Sequence, residues 1–178
     1  MDKISYRVLI SAEAIQERIM ELAEVLNTEY RGCDLVLLCN LKGAFIFLAD
    51  LCRQLDVPHE IDFIATASYH GGTKSSGKVR IVKDLKSDIE DRHVLIVEDI
   101  VDTGTTLDYV RRYLELHKPA SVRTVTLLDK KECRVIDIDP DWVGFTIPDK
   151  FVLGYGLDFA EKYRDLDFIA EYTGTLAE

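Results

Sequence analysis

The sequence predicts an α/β domain built on a mainly parallel sheet, and two observations carry the prediction. Leu35–Cys39 and Val94–Val97 are runs of consecutive apolar residues, the pattern of strands buried on both faces. Each passes through a short glycine-containing turn into helical apolar spacing, and Arg123–Leu128 adds a further buried strand. With 178 residues, 47% of them hydrophobic, one domain with a sizeable core is the natural count.

Ser11 is placed to cap the first helix, with Glu13 in its first turn. Ile15, Ile19, Leu22, Ala23 and Leu26 form an apolar stripe that ends near Thr28 and packs on a core. After strand Leu35–Cys39 come Asn40-Leu41-Lys42-Gly43-Ala44 and a helix from Phe45 to Gln54. Lys42 beside Gly43 brings a cation and a bare backbone N–H to one turn, a combination suited to pyrophosphate. Taken alone, the same turn also reads as a solvated lysine. Glu60–Ser68 is a strand, and alternation of Ile61, Phe63 and Ala65 gives it one polar face. Residues 69–78 hold three glycines, two serines and two lysines, with almost nothing to bury. Val79–Lys83 is the next strand.

The centre of the chain is Val94–Thr106. Four apolar residues give way to Glu98-Asp99, then Ile100-Val101, Asp102 and Thr103-Gly104-Thr105-Thr106. Leu107, Val110 and Leu114 then carry a helix from Thr106 to His117, ahead of Pro119. Small residues with free N–H groups and hydroxyls at a helix N-terminus form an anion site. Alone they would be an ordinary turn with Thr103 as the cap. The acids, however, follow a buried strand directly, at the carboxyl-end crevice where open α/β sheets bind ligands. Carboxylates repel phosphate, so they serve ribose hydroxyls, a metal or a proton. Asp129-Lys130-Lys131 ends the next strand, and a lysine there points into the same crevice while its neighbour faces solvent. Trp142, Val143 and Phe145 read as core, Phe151 and Val152 as the start of a strand with Phe151 equally readable as core, and Gly154–Asp158 as a glycine-rich turn.

A net charge of −10 makes nucleic acid and anionic membranes poor partners. The chain has no run of about 18 apolar residues, and its start lacks the apolar stretch of a signal peptide, so a cytoplasmic location is expected. Cys33, Cys39, Cys52 and Cys133 form no C-x-x-C pair, and the four histidines have no zinc spacing.

Four motifs in order, from Leu41 to Asp165, resemble those of the phosphoribosyltransferases, and more narrowly the 6-oxopurine branch. Val94–Thr106 is similar to the phosphoribosyl-pyrophosphate motif, and Leu41-Lys42-Gly43 to the pyrophosphate-binding turn. Ser68-Tyr69 with the loop after it resembles the family's mobile lid, and Asp141–Asp165 the purine-binding half. The resemblance implies the type I phosphoribosyltransferase fold. Its core would span about residues 30–130, and its small hood the N-terminal residues and about 131–178. It implies purine salvage: transfer of the 5-phosphoribosyl group from phosphoribosyl pyrophosphate to N9 of hypoxanthine or guanine, releasing pyrophosphate. It also implies magnesium as cofactor and a homodimer or homotetramer.

The resemblance further assigns roles. Lys42, Gly43 and Arg164 would meet the pyrophosphate, and Thr103, Gly104, Thr105 and Thr106 the 5′-phosphate. Glu98 and Asp99 would hold the ribose diol, directly or through magnesium, and Asp158 would share the metal. Asp102 would be the general base near N7 of the purine, and Lys130 the donor to its 6-oxo oxygen. Phe151 would stack on the base, and Val152 would read its edge through the backbone. Leu41–Lys42 would be a cis peptide. Thr105 stands where some relatives carry lysine, which leaves phosphate binding to N–H groups and hydroxyls. Two other readings stand beside this one. A catalytically idle nucleotide- and RNA-binding regulator on the same fold needs a basic face, against which the net charge argues. A transferase for uracil, orotate or adenine is disfavoured by the spacing from Lys130 to Phe151; the choice among hypoxanthine, guanine and xanthine stays open.

Overall fold

The computed structural model describes residues 4–68 and 79–174. Along the chain these form β1 (Tyr6–Ile10), α1 (Ala12–Glu29), β2 (Leu35–Leu41), α2 (Phe45–Cys52), β3 (His59–Ser68) and β4 (Val79–Lys83). There follow β5 (His93–Val101), α3 (Thr105–Glu115), β6 (Ser121–Asp129), β7 (Trp142–Thr146), β8 (Val152–Leu153) and β9 (Ile169–Tyr172). The main sheet has six strands in the order β4-β3-β2-β5-β6-β7. All its neighbours pair in parallel except β4, which runs antiparallel to β3. A second, antiparallel sheet has the order β1-β9-β8.

Side-chain alternation along the central strands sorts the core into two layers. Leu35, Leu37, Cys39, Leu95 and Val97 pack with α1 and α2, whereas Val36, Leu38, Val94 and Ile96 pack with α3. Both faces of these strands are therefore covered, which is why their sequences are almost purely apolar. α1 buries the five residues of its stripe, and Ser11 Oγ accepts from the Ala14 N–H at 3.3 Å. On α3, Leu107, Val110 and Leu114 are buried, each worth about 1.5–3 kcal/mol.

The wiring of the sheet makes the crevice. From β2 the chain crosses through α2 to β3 on one side. From β5 it crosses through α3, on the opposite face, to β6 on the other side. β2 and β5 are neighbours, so their connections part company and leave an opening at their carboxyl ends.

Several elements differ from the sequence expectation. The apolar run predicts a strand ending at Val97, but β5 continues to Val101, because β6 extends beside it and pairs Glu98 with Thr126 and Ile100 with Leu128. Neither β1 nor β9 is legible in sequence; both are short, and β1 finds its partner only in β9, with Tyr6 opposite Tyr172, while β9 also pairs with β8. β7 lies within the stretch assigned to the hood, yet it pairs with β6, Val125 opposite Trp142, and so completes the main sheet. α1, ahead of the expected core, packs on that sheet too. Trp142 and Phe145 are half-buried against the core, while Phe151 is 40% exposed. The loop expected to act as a lid, from Tyr69 to Lys78, lies outside the described residues, and Ser68 ends β3 just before it.

Candidate active site

The opening between β2 and β5 is a cavity of about 360 Å³. Asn40, Lys42 and Gly43 wall one side, Glu98 to Gly104 and Thr106 the other, and Asp158 and Arg164 close it. The structure thus brings together residues that the sequence places more than a hundred positions apart.

Glu98 is almost fully buried. Asn40 Nδ2 donates to its Oε1 at 3.0 Å and Oε2 at 3.3 Å. Burial, with the Asp99 charge beside it, pushes the Glu98 carboxyl well above the usual carboxylate range, against the opposing pull of Asn40. Asp99 is pushed up to about 6, mainly by burial; the Ile100 N–H and the Arg164 charge oppose this, and the Asp158 charge adds to it. The Ile100 N–H reaches Asp99 Oδ1 at 2.9 Å.

The turn after β2 presses on this carboxylate. Leu41–Lys42 is a cis peptide, as the resemblance implied. A Cβ on Gly43 would overlap the Asp99 carboxylate, and a Cβ on Gly156 would overlap the Gly43 carbonyl. Both glycines are therefore required by contact, and Gly156 by its φ of +97° as well. Lys42 Nζ pairs with Glu161 at 2.8 Å. Arg164 pairs with Asp158 at 2.8 Å and with Glu161 at 3.4 Å, and donates to the Gly156 carbonyl at 2.8 Å. Glu161 so bridges the two cations that the family resemblance would place at one pyrophosphate.

Opposite lies the threonine-rich loop. Gly104, in the left-handed region at φ +83°, occupies the N-cap of α3, and no side chain caps that helix. Thr103, the cap in the plainer sequence reading, instead sets its Oγ1 3.1 Å from Thr105 Oγ1 and 3.4 Å from the Thr105 N–H. Thr103, Gly104 and Thr106 line the cavity at this helix N-terminus, where backbone N–H groups lack intrahelical partners.

Lys130 leaves β6 inward. Its Nζ lies 3.7 Å from Asp102 and 3.4 Å from Asp149, and its side chain is 9% exposed. Lys131 turns outward to Asp139. Asp102 thus links the cavity to Lys130. Phe151 and Val152 are not among the cavity walls. Phe151 meets Phe159 and Tyr172 edge to face, with ring centroids at 5.8 and 6.1 Å, and Val152 is buried in β8.

Among the described residues, no three His, Cys, Asp or Glu side chains converge on one point. The donor set still fits magnesium. That ion keeps several waters and takes one or two carboxylates together with substrate phosphate oxygens, and Asp99 and Asp158 wall the same cavity. Asn40 was missed by the sequence reading. Its signal was register: the last apolar positions Cys39 and Val97 are paired, so the next residues, Asn40 and Glu98, must be neighbours.

A doubly wound sheet that sets three acids beside a threonine-rich helix N-terminus at its switch point is the build of an enzyme acting on sugar phosphates or nucleotides. The chain belongs to the phosphoribosyltransferases: the model of the phosphoribosyl transferase domain matches residues 9–160. It is 48% identical to the hypoxanthine-guanine phosphoribosyltransferase of Lactococcus lactis over 169 residues, 95% of this chain and 92% of that protein. It is 44% identical to the hypoxanthine phosphoribosyltransferase of Escherichia coli K12, covering 95% of this chain and 96% of the relative. Among solved structures, a hypoxanthine-guanine phosphoribosyltransferase from Bacillus anthracis superposes with a TM-score of 0.91 at 43% identity, covering 96% of this chain and 100% of that one. A hypoxanthine phosphoribosyltransferase from Staphylococcus aureus gives 0.90 at 47% identity, covering 94% and 91%.

Proposed function

We propose that this enzyme serves purine salvage, moving the 5-phosphoribosyl group from phosphoribosyl pyrophosphate to N9 of hypoxanthine or guanine and yielding IMP or GMP with pyrophosphate. The observation that carries the reading is the single cavity in which two acids, a proton acceptor, a phosphate loop and a guanidinium meet.

The roles follow from position. The hydroxyls and N–H groups of Thr103, Gly104, Thr105 and Thr106 hold the 5′-phosphate. Glu98 and Asp99 hold the ribose diol. They also stabilise the positive charge that the ribose gains as its bond to pyrophosphate breaks. Lys42 and Arg164 exchange Glu161 for the pyrophosphate, with the Gly43 backbone beside it. Asp102 takes the purine proton. Lys130 donates to the 6-oxo oxygen, which disfavours a 6-amino group there because both partners would then be donors. Phe151 stacks on the base and Val152 reads its edge. Asp99, Asp158 and Glu98 are the residues that would hold magnesium, which offsets the charge of the leaving pyrophosphate. Ser68 and Tyr69 begin a lid that excludes water.

The small sheet and the turns around Asp158 form a hood above the main sheet. The enzyme works in the cytoplasm as a homodimer or homotetramer; among the described residues, no helix is long and apolar enough to cross a membrane. Steady-state rates with hypoxanthine, guanine, xanthine and adenine, each with phosphoribosyl pyrophosphate and magnesium, test the proposal. Turnover of hypoxanthine or guanine, with adenine inert, is expected. Adenine as the preferred base, or no turnover of either 6-oxopurine, overturns it.

A further inference from the structure

The phosphate loop is held from behind by a strap, residues 130–138, which grips the loop through its backbone carbonyls. Arg134 is its centre. This arginine is not among the cavity walls, and its side chain is 11% exposed. Its Nη1 donates to the carbonyl of Val101 at 2.8 Å and also to the carbonyl of Asp102. Its Nε donates to Ile138 O at 3.0 Å. Its Nη2 pairs with Asp129, whose side chain is 5% exposed. The strap backbone completes the pattern: the Lys130 N–H reaches Val101 O at 3.0 Å, and the Val135 N–H reaches Thr103 O at 3.0 Å.

Three successive carbonyls, of Val101, Asp102 and Thr103, therefore point at the strap. In a planar trans peptide the following N–H points the opposite way. The N–H groups of Asp102, Thr103 and Gly104 are thereby turned from the strap, the side on which these residues wall the cavity. The Val101 carbonyl is shared by the Lys130 N–H and Arg134, and backbone N–H groups hold the Thr103 carbonyl. The carbonyl of Asp102 is engaged by Arg134, so the direction of the Thr103 N–H depends on this guanidinium.

We infer that Arg134 is a positioning residue for the phosphate loop: gathering the Val101 and Asp102 carbonyls, it aims the loop's N–H groups at the 5′-phosphate. Asp129 neutralises the guanidinium and fixes its plane, and together they make a fork that a lysine cannot reproduce. The inference rests on the phosphoribosyl pyrophosphate reading above, and its test separates the two.

The test compares wild type with Arg134→Lys, Arg134→Met and the double variant Arg134→Met/Asp129→Leu. The readouts are melting temperature, the KM for each substrate, and calorimetric binding of ribose 5-phosphate. Arg134→Met alone should melt lower, because it strands a buried carboxylate. The double variant should recover most of that loss, since apolar replacement of a buried pair is often neutral. All three variants should bind ribose 5-phosphate about tenfold or more weakly, with the KM for phosphoribosyl pyrophosphate raised in parallel and that for hypoxanthine little changed. If affinity for ribose 5-phosphate returns with melting temperature in the double variant, Arg134 serves only stability and the inference is overturned. Wild-type failure to bind ribose 5-phosphate also overturns it. Arg134-dependent binding without turnover of either 6-oxopurine would instead retain the inference and remove the purine-salvage proposal.

Discussion

Asp102 and Lys130 come from the ends of neighbouring strands and stand 3.7 Å apart, yet they are assigned to different atoms of the purine. Asp102→Asn keeps the shape of the side chain and removes the base. The expected result is a kcat lower by about 10²–10⁴-fold, with the KM for phosphoribosyl pyrophosphate near wild type. Near-normal turnover across the pH range would mean that the proton leaves through water. Lys130→Ala removes a charge-assisted hydrogen bond, at a cost of about 1.5–3 kcal/mol in kcat/KM for both bases. The fold should survive, because the two acids it leaves behind, Asp102 and Asp149, are 49% and 73% exposed and water can take over. Full activity in that variant would pass the role to Lys131 or the backbone. Residues of this kind were legible where polarity changes abruptly: Glu98, Asp99 and Asp102 interrupt an apolar strand. Asn40 and Arg134 were not. A lone asparagine ahead of Lys42-Gly43 has no periodicity, and Arg134 sits in an irregular connection where most of its bonds are to backbone oxygens.

Among the secondary elements, the parallel strands were legible because burial on both faces leaves its mark in composition, and the helices because one face alone is apolar. The strands of the small sheet were not, since β1 acquires a reason to be a strand only from β9, and β9 only from β1 and β8. One buried acid secures an edge of the main sheet. Asp62 of β3, 6% exposed, accepts from the Phe63 N–H at 2.7 Å, the Lys86 N–H at 2.5 Å and the Ser87 N–H at 2.8 Å. Burial alone would raise its pKa, but the backbone donors outweigh burial and hold it below the usual range. Asp62→Ala leaves those donors without their acceptor, and a loss of at least about 2 kcal/mol in urea unfolding is expected. An unchanged midpoint would mean that water replaces the carboxylate at no cost and that the β4–β5 connection is anchored elsewhere.

For the molecule as a whole, the crevice acids set a pH dependence. The Asp99 carboxyl lies at about 6 in the fold against an ordinary value of 3.8. A group raised in this way leaves stability intact below about pH 4 and removes it as pH rises through about 6; Glu98 is shifted in the same direction. In metal-free buffer without substrate, the melting temperature should therefore fall between pH 5 and 7.5, and Asp99→Asn should flatten the fall. Parallel curves for the two proteins would show that Asp99 is solvated enough to ionise freely. The antiparallel pairing of β1 with β9 has a further consequence, in the order of synthesis. A nascent chain that has reached Thr146 already contains every strand of the main sheet, and the N-terminal part of a chain generally folds first. It still lacks Asp158, Arg164 and any partner for β1. The last walls of the cavity thus arrive late on the ribosome, and until then Tyr6–Ile10 is an unpaired strand edge, the kind of segment on which neighbouring chains can mispair.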